Sequence, residues 1–269
     1  MKIFQIYYDE ATKQQLDPVF IPLSNAGSER PDWFEYWPIR QALQTDQFEK
    51  DEYIGFFSPR FKEKTGLSGD QVLSRVSSST YDVISFSPVF HESVLFPNSF
   101  HQAERKHPGC IRLVQDYLDA TGVDIKLNFL VQDQTRTIFS NYFVAKYKFW
   151  KTWEKLADQL FEISEDPHSE LGRRLRASTR HRGTVAYQMK IFIMERLISL
   201  ALELENTNAD VAIDHASASR YSSMSAFNNL LIMDALKGQY LKTGNKSFLG
   251  LYMNARKELL ATATAAPRR

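Results

Sequence analysis

Short apolar runs alternate with helical patterns through the first half of the chain, and this alternation constrains the fold most. Four runs have the length and the β-branched and aromatic content of buried strands. They are residues 3–8, 53–57, 83–86 and 126–131, with helical patterns at 39–48, 69–77 and 109–121. Such alternation predicts an α/β fold with a mostly parallel central sheet flanked by helices, whose ligands bind at the carboxyl ends of the strands.

The second half of the sequence is helical. Residues 147–163 place Phe149, Trp153, Leu156 and Leu160 on one helix face. Residues 187–204 are apolar nearly all round, which predicts a buried helix, and two more helices are expected near 225–236 and 247–260. We therefore expect one α/β unit over residues 1–205 and a helical C-terminal extension over 206–269, packed on it.

The charge balance and the cysteine content exclude several classes of protein. Lysine and arginine number 33 against 32 acidic residues, so no overall charge attracts nucleic acid or a membrane. Cys110 is the only cysteine, which excludes an internal disulfide and a cysteine-based zinc site. No apolar stretch approaches the roughly 20 residues of a membrane span. We expect a cytoplasmic protein.

Common catalytic and nucleotide-binding motifs are missing from the sequence. It contains no G-x-G-x-x-G, no P-loop, no G-x-S-x-G elbow and no Asp-x-Asp at a strand end. The first candidate site is the loop 58–66, which carries three cations, Arg60, Lys62 and Lys64, directly after the second predicted strand. These cations suit a diphosphate, and a solvated basic loop is an equally weighted alternative.

Two further segments carry clustered polar side chains. Residues 90–108 predict a long functional loop, in which His101 and Arg105 are candidates for acceptor or phosphate contacts. The histidines of this loop lack the spacing of zinc motifs. Residues 173–182 contain five arginines, including Arg180 and Arg182, and predict a local anion site. The alternatives are a basic helix end or a nucleic-acid contact, and the neutral net charge disfavours the latter.

Four segments form an ordered set along the chain: 33–40 (WFEYWPIR), 53–61 (YIGFFSPRF), 140–146 (SNYFVAK) and 194–197 (MERL). As a set they resemble bacterial glycosyltransferases of capsule and lipopolysaccharide synthesis. Residues 33–40 are similar to the SE-x-T-x-x-Y-W helix of these enzymes, and 53–61 to their Y-x-G-L-x-H-Y-R-R strand and turn. Residues 140–146 (SNYFVAK), with Phe149 and Trp150, resemble their Y-N-M-F-I-M-x-K…F segment. Residues 194–197 (MERL) resemble the A-E-R-L of their closing helix.

The resemblance implies a GT-A-like fold over residues 1–205, a Rossmann-type sheet that takes a nucleotide-sugar donor. It implies that Asn141 contacts the donor sugar or the acceptor, that Glu195 and Arg196 close the site, and that Glu35 and Arg60 face the cleft. The sequence departs from the family at 58–61, where Ser-Pro-Arg-Phe replaces His-Tyr-Arg-Arg. Lys62 is the candidate substitute for the missing second arginine.

This chemistry assigns further roles to residues. The leaving nucleoside diphosphate needs fixed cations or a metal ion. We expect Arg60, Lys62, Arg180 and Arg182, with Tyr8 at the end of the first strand, to bind the donor. No metal is then required, although Mn²⁺ or Mg²⁺ stays the alternative. Candidates for the base that deprotonates the acceptor hydroxyl are Glu195, Glu35 and Asp9.

The expected partners are a nucleotide-sugar donor and a saccharide or lipid-linked glycan acceptor, with no nucleic acid. A lipid-linked acceptor would bring the protein to the inner face of the bacterial inner membrane. His101, Arg105 and Arg196 join Asn141 as candidate acceptor or sugar contacts. The alternatives are an internal Glu195–Arg196 ion pair and, for the whole chain, a non-catalytic polysaccharide- or nucleic-acid-binding or scaffold protein.

Overall fold

The computed structural model describes residues 1–45, 47–181, 185–214 and 224–265. Its strands are β1 (Lys2–Tyr7), β2 (Ile21–Ser24), β3 (Tyr53–Phe57), β4 (Val83–Ser85), β5 (Phe143–Lys146), β6 (Ser178–His181), β7 (Val185–Gln188) and β8 (Asp210–Val211). Six of them form a central sheet in the order β2-β1-β3-β5-β4-β8, and β6 and β7 form a separate antiparallel pair. In the central sheet only β5 runs antiparallel to its neighbours.

Helices flank this sheet and make up most of the second half. They are α1 (Glu10–Lys13), α2 (Tyr36–Thr45), α3 (Phe61–Thr65), α4 (Gly69–Ser78), α5 (Phe90–Leu95), α6 (Ser99–Lys106), α7 (Cys110–Ala120), α8 (Tyr147–Glu165), α9 (Glu170–Leu175), α10 (Met189–Met194), α11 (Leu197–Leu204), α12 (Met224–Thr243) and α13 (Lys246–Ala265). A 3-10 turn, Pro31–Trp33, precedes α2. The predicted α/β class, with a mostly parallel sheet flanked by helices, is confirmed.

The helix α8 anchors the main core against the sheet. Its predicted apolar face is buried, and Trp150 beside that face donates a hydrogen bond from Nε1 to the Ile54 carbonyl in β3 at 3.0 Å. The Trp150 ring stacks on Phe143 of β5 and meets Phe56 of β3 edge-on. Aromatic packing of this kind fixes α8 against the centre of the sheet.

The order in which strands are added to the sheet changes side between β1 and β3. From β1 the chain forms β2 on one side, and then returns to form β3 on the other side of β1. In open α/β sheets, ligands bind outside the carboxyl ends of the strands at such a switch point. Tyr8 and Ser58 directly follow these two carboxyl ends.

The predicted strand at 126–131 is wrong. The segment forms a turn instead, in which the Phe129 and Leu130 amides both bond to the Lys126 carbonyl. The buried side chain of Asn98 satisfies the carbonyls of Leu127 and Leu130 at 2.9 and 2.8 Å. These carbonyls therefore need no partner strand.

Two predicted boundaries also differ from the structure. Residues 90–108 are mostly helical, because Asn98 caps α6 by accepting from the amides of Phe100 and His101. The apolar run 187–204 is not one helix but two, α10 and α11, interrupted at Glu195 and Arg196. The buried Arg196 side chain stabilises this interruption, because it donates hydrogen bonds to groups of α6 and α10.

The C-terminal helices α12 and α13 pair with each other and pack on α5. A small separate core joins them to α5, made of Phe90, Val94, Leu230, Met233 and Tyr252. The fully buried Lys237 donates from Nζ to the carbonyls of Ser93 and Phe96 at 2.6 and 2.8 Å. The central sheet also extends past residue 205, because β8 pairs with β4 as an edge strand.

Candidate functional site

A cleft of about 400 Å³ opens at the carboxyl ends of β1 and β3. Its size is that of a small-molecule site. Its lining comes from the ends of these strands, the segment 33–36, the helices α3, α5 and α6, the turn before β5, the strand β7 and the helix α10 with the residues that follow it. Five residues expected in the site line it: Tyr8, Glu35, Asn141, Glu195 and Arg196.

Glu35 is a carboxyl group of the cleft whose pKa is displaced to near neutrality. Its Oε1 accepts a hydrogen bond from the Tyr8 hydroxyl at 3.0 Å. Burial raises the pKa of Glu35 to about 7, and the Glu195 charge adds to the rise, while the Tyr8 hydrogen bond and the Lys64 charge oppose it. Burial, together with the Glu35 charge, also raises the pKa of the Tyr8 phenol. The Glu35 carboxyl group therefore changes its charge near neutral pH, which suits a proton acceptor in catalysis.

Glu195 and Arg196 occupy the break between α10 and α11, and their environments differ. The Glu195 side chain is 47% exposed and faces the cleft. Arg196 is buried, and its guanidinium donates to the carbonyls of Ser99 and Phe192 and to Gln102 Oε1, at 3.0, 2.6 and 2.6 Å. The contact with Glu195 is longer, with 3.9 Å between Arg196 Nη1 and Glu195 Oε2. Arg196 thus holds α6 against α10, and Glu195 is the member of the pair that a ligand can reach.

Two lysines bring positive charge to the cleft. Lys64 is exposed on α3, with its Nζ 5.2 Å from the centroid of the buried Tyr142 ring. Lys106 at the end of α6 pairs with Glu92 of α5 at 3.1 Å. Burial would raise the pKa of Glu92, but contacts from His91 and Lys106 outweigh it and lower that pKa to about 2. Glu92 therefore stays ionised and holds Lys106 at the cleft wall.

Backbone strain is concentrated at the cleft. Phe34, Ser140 and Asn141 line it with φ values of +48°, +63° and +53°. Non-glycine residues adopt this conformation at a cost, and such residues cluster at functional sites. The Asn141 side chain is buried, and its Oδ1 has no hydrogen-bond partner. A buried acceptor without a partner at a cleft wall is suited to a ligand hydroxyl or amine.

A charge cluster around the buried Lys190 fixes the segment that carries Phe34 and Glu35. Lys190 of α10 is almost fully buried, with its Nζ 2.6 Å from Asp32 and 3.5 Å from Glu165, which are both partly exposed. The same ammonium lies 4.0 Å from the centroid of Trp33, whose Nε1 donates to Glu165 at 2.9 Å. A buried ammonium needs its partners, so these contacts tie the segment to α8 and α10.

Three predicted site residues, Asp9, Arg60 and Lys62, do not line the cleft. Asp9 caps α1, and hydrogen bonds from the Thr12 amide and hydroxyl lower its pKa. Arg60 is exposed and pairs with Glu63 at 2.6 Å. Lys62 is exposed on α3, and the cation of this helix that lines the cleft is Lys64.

The other predicted cations are also placed elsewhere. His101 and Arg105 lie on α6 outside the cleft lining. Burial, together with the positive charge of Arg256 in α13, lowers the pKa of His101. Arg173 and Arg174 pair with Glu170 and Asp116, each at 2.6 Å.

Arg176 donates to the Ser164 carbonyl. Arg182 lies outside the described residues, and of Arg180 only the backbone, in β6, is described.

Sequence reasoning did not single out several cleft residues as site residues. They are Phe34, Ser58, Lys64, Glu92, Lys106, His107, Ser140 and Tyr187. The sequence carries one signal for part of this set, since 58–66 and 90–108 both contain clustered charged and polar side chains. The signal does not say which face of each helix meets the cleft.

Comparison with known protein families, with curated proteins and with solved structures finds no match. Within the described part of the chain, no group of three His, Cys, Asp or Glu side chains is placed to hold a metal ion. Among the same residues, no helix is long and apolar enough to cross a membrane.

Proposed function

We propose that the protein is a glycosyltransferase that moves a sugar from a nucleotide-sugar donor to a saccharide acceptor in bacterial surface polysaccharide synthesis. One observation carries this proposal: the cleft at the β1/β3 switch point combines a carboxyl group of near-neutral pKa with a cation of the adjacent helix. A switch point is where such sheets bind nucleotides. The sheet is then the nucleotide-binding core of a GT-A-like fold.

Lys64 is the donor-binding cation in this proposal. It lies on the short helix that follows β3, and its charge lowers the pKa of Glu35 against the effect of burial. A positive charge at this position stabilises the negative charge that develops on the nucleoside diphosphate as it leaves. Lys106, held by Glu92, supplies a second positive charge to the cleft.

Glu35 is the general base. Its carboxylate takes the proton of an acceptor hydroxyl, the hydroxyl oxygen bonds to the anomeric carbon, and the bond from that carbon to the diphosphate breaks. The nucleoside diphosphate leaves with the electron pair. Tyr8 orients the carboxylate through its 3.0 Å hydrogen bond, and Asn141 Oδ1 accepts from a sugar hydroxyl.

Titration of nucleotide sugars against Lys64→Ala tests the donor site. We expect the dissociation constant of the preferred donor to rise about tenfold, as expected for loss of a charged contact. Lys62→Ala and Arg60→Ala are matched controls, because both change an exposed cation of the same segment outside the cleft. Equal donor affinity for Lys64→Ala and wild type would contradict the assignment of Lys64 as the donor-binding cation.

A further inference from the structure

Phe34 and Tyr187 form an exposed aromatic corner on the cleft wall. Phe34 is 39% exposed, and Tyr187 on β7 is half-buried. Their ring centroids are 5.5 Å apart, and the ring planes meet at 55°. Large apolar rings held open to solvent inside a cleft are typical of ligand-binding surfaces.

The corner is built rigidly. Phe34 adopts its strained backbone beside the buried Trp33, and its carbonyl accepts from Asn25 Nδ2 at 3.2 Å. Tyr187 meets Phe192 edge-on at 6.2 Å, and Phe192 stacks on the buried His107 at 3.7 Å. Rings fixed before binding lose little conformational entropy when a ligand stacks on them.

The angle between the rings indicates the shape of the ligand. A flat nucleobase stacks face to face on aromatic rings, and two rings inclined at 55° cannot both lie parallel to one base. A pyranose chair is not flat and presents apolar C–H groups on more than one side. The corner therefore fits a sugar ring better than a base.

The position of the corner indicates which sugar it holds. Phe34 directly precedes Glu35, and both line the cleft. A sugar ring that stacks on Phe34 therefore shares the cleft with the carboxyl group that we assign as the base. Lys64, the proposed donor-binding cation, lies on the helix that follows β3, whereas Tyr187 belongs to the separate β6–β7 pair.

We propose that Phe34 and Tyr187 bind the terminal pyranose ring of the acceptor glycan, an inference that rests on the proposed function. The rings supply stacking area and orientation, and Glu35 receives the proton of the hydroxyl that they present. Phe34 and Tyr187 are then determinants of acceptor specificity, and they leave donor binding unchanged.

The test compares Phe34→Leu, Phe34→Trp and Tyr187→Ala with wild type on two readouts. The first is binding to a printed array of bacterial surface oligosaccharides, and the second is thermal stabilisation by a panel of nucleotide sugars. We expect array binding to fall about tenfold in Phe34→Leu and Tyr187→Ala and to survive in Phe34→Trp. Donor stabilisation is expected to stay at the wild-type value in all three. Phe129→Ala removes an 83% exposed ring away from the cleft and is the matched control.

Three results would overturn the inference. They are unchanged array binding in Phe34→Leu and Tyr187→Ala, absence of array binding by the folded wild type, and loss of donor stabilisation in these variants. The last result would assign the rings to the donor instead. If no nucleotide sugar stabilises the wild type, the proposed function fails on that readout alone, independently of the array.

Discussion

Glu35 shows how one side chain can link stability and function. Its desolvated position beside Tyr8 raises its pKa to about 7, whereas Glu92 in the same cleft has a pKa of about 2 because of its cationic neighbours. Two carboxyl groups in one cleft thus differ in protonation near neutral pH. The group with the raised pKa is suited to accept a proton, and the other is suited to hold a cation.

The raised pKa of Glu35 predicts a dependence of stability on pH. Between pH 4.5 and 7 the folded protein holds a proton at this site that the unfolded chain releases, so its free energy of unfolding falls as pH rises. Glu35→Gln removes this effect. We expect the variant to gain about 2 kcal/mol relative to wild type between pH 5 and pH 8, measured by urea denaturation at each pH.

Glu92→Gln is the control for this measurement. The folded-state pKa of Glu92 is lowered, so its contribution to stability is present above pH 4.5 and is lost as pH falls toward 2. Its stability difference from wild type should therefore be flat between pH 5 and pH 8. A flat difference for Glu35→Gln as well would contradict the raised pKa.

Asn141 gives a second prediction at the residue scale. Asn141→Gly relieves a left-handed backbone and removes a buried acceptor without a partner. We expect stability within about 1 kcal/mol of wild type and an approximately tenfold weaker interaction with the sugar ligand, measured by titration.

Asn206→Gly is the matched variant for this test. Asn206 also has a positive φ, of +45°, but its Oδ1 already accepts from Arg136 and it lies outside the cleft. Its ligand affinity should equal that of wild type. Equal affinity in Asn141→Gly too would show that the Asn141 side chain does not contact the ligand.

At the scale of elements, β3 and β5 approach each other closely at Gly55. A Cβ at Gly55 would lie 2.7 Å from Val144 Cγ2 and 3.3 Å from the Phe143 carbonyl. We expect Gly55→Ala to lower the free energy of unfolding by about 1–3 kcal/mol, because the strands must separate. Urea denaturation measures this effect.

Gly250→Ala is the opposite case on α13, where a Cβ meets nothing within 4 Å. Helix propensity there should raise stability by about 0.5–1 kcal/mol. If both alanine variants are equally stable, the tight strand spacing at Gly55 is not a constraint.

The sequence predicts those elements whose pattern is local. The runs at β1, β3 and β4 and the helices α4, α7 and α8 follow from apolar spacing and turn residues. It does not predict β5 as a central antiparallel strand, since four residues give no periodicity and their partners are distant. It also places a strand at 126–131, where the side chain of Asn98 replaces the partner strand.

The candidate site is predictable only in part for the same reason. Glu35, Asn141 and Glu195 were found through a family resemblance, and they do line one cleft. Arg60 and Lys64 stand in the same basic loop, but only the fold shows that Lys64 lines the cleft. The strained backbone at Phe34 has no sequence signal, because the residue is not glycine.

At the scale of the whole molecule, the site depends on elements from the entire chain. The end of β1 supplies Tyr8, α3 supplies Lys64, α5 and α6 supply Glu92 and Lys106, and the junction of α10 and α11 supplies Glu195. The α12–α13 pair packs on α5, which carries Glu92. Ligand binding in the cleft should therefore stabilise the fold as a unit.

A thermal-shift panel of UDP-, GDP-, CMP- and dTDP-sugars, with and without manganese, tests the central claim most directly. We predict that one nucleotide class raises the melting temperature by several degrees at about 100 times its dissociation constant, where linkage contributes about 2.7 kcal/mol. The rise should be smaller in Lys64→Ala. A rise that requires manganese would contradict the metal-independent donor site. No rise with any nucleotide sugar, in a protein shown to be folded, would contradict the transferase proposal and favour a binding or scaffold role.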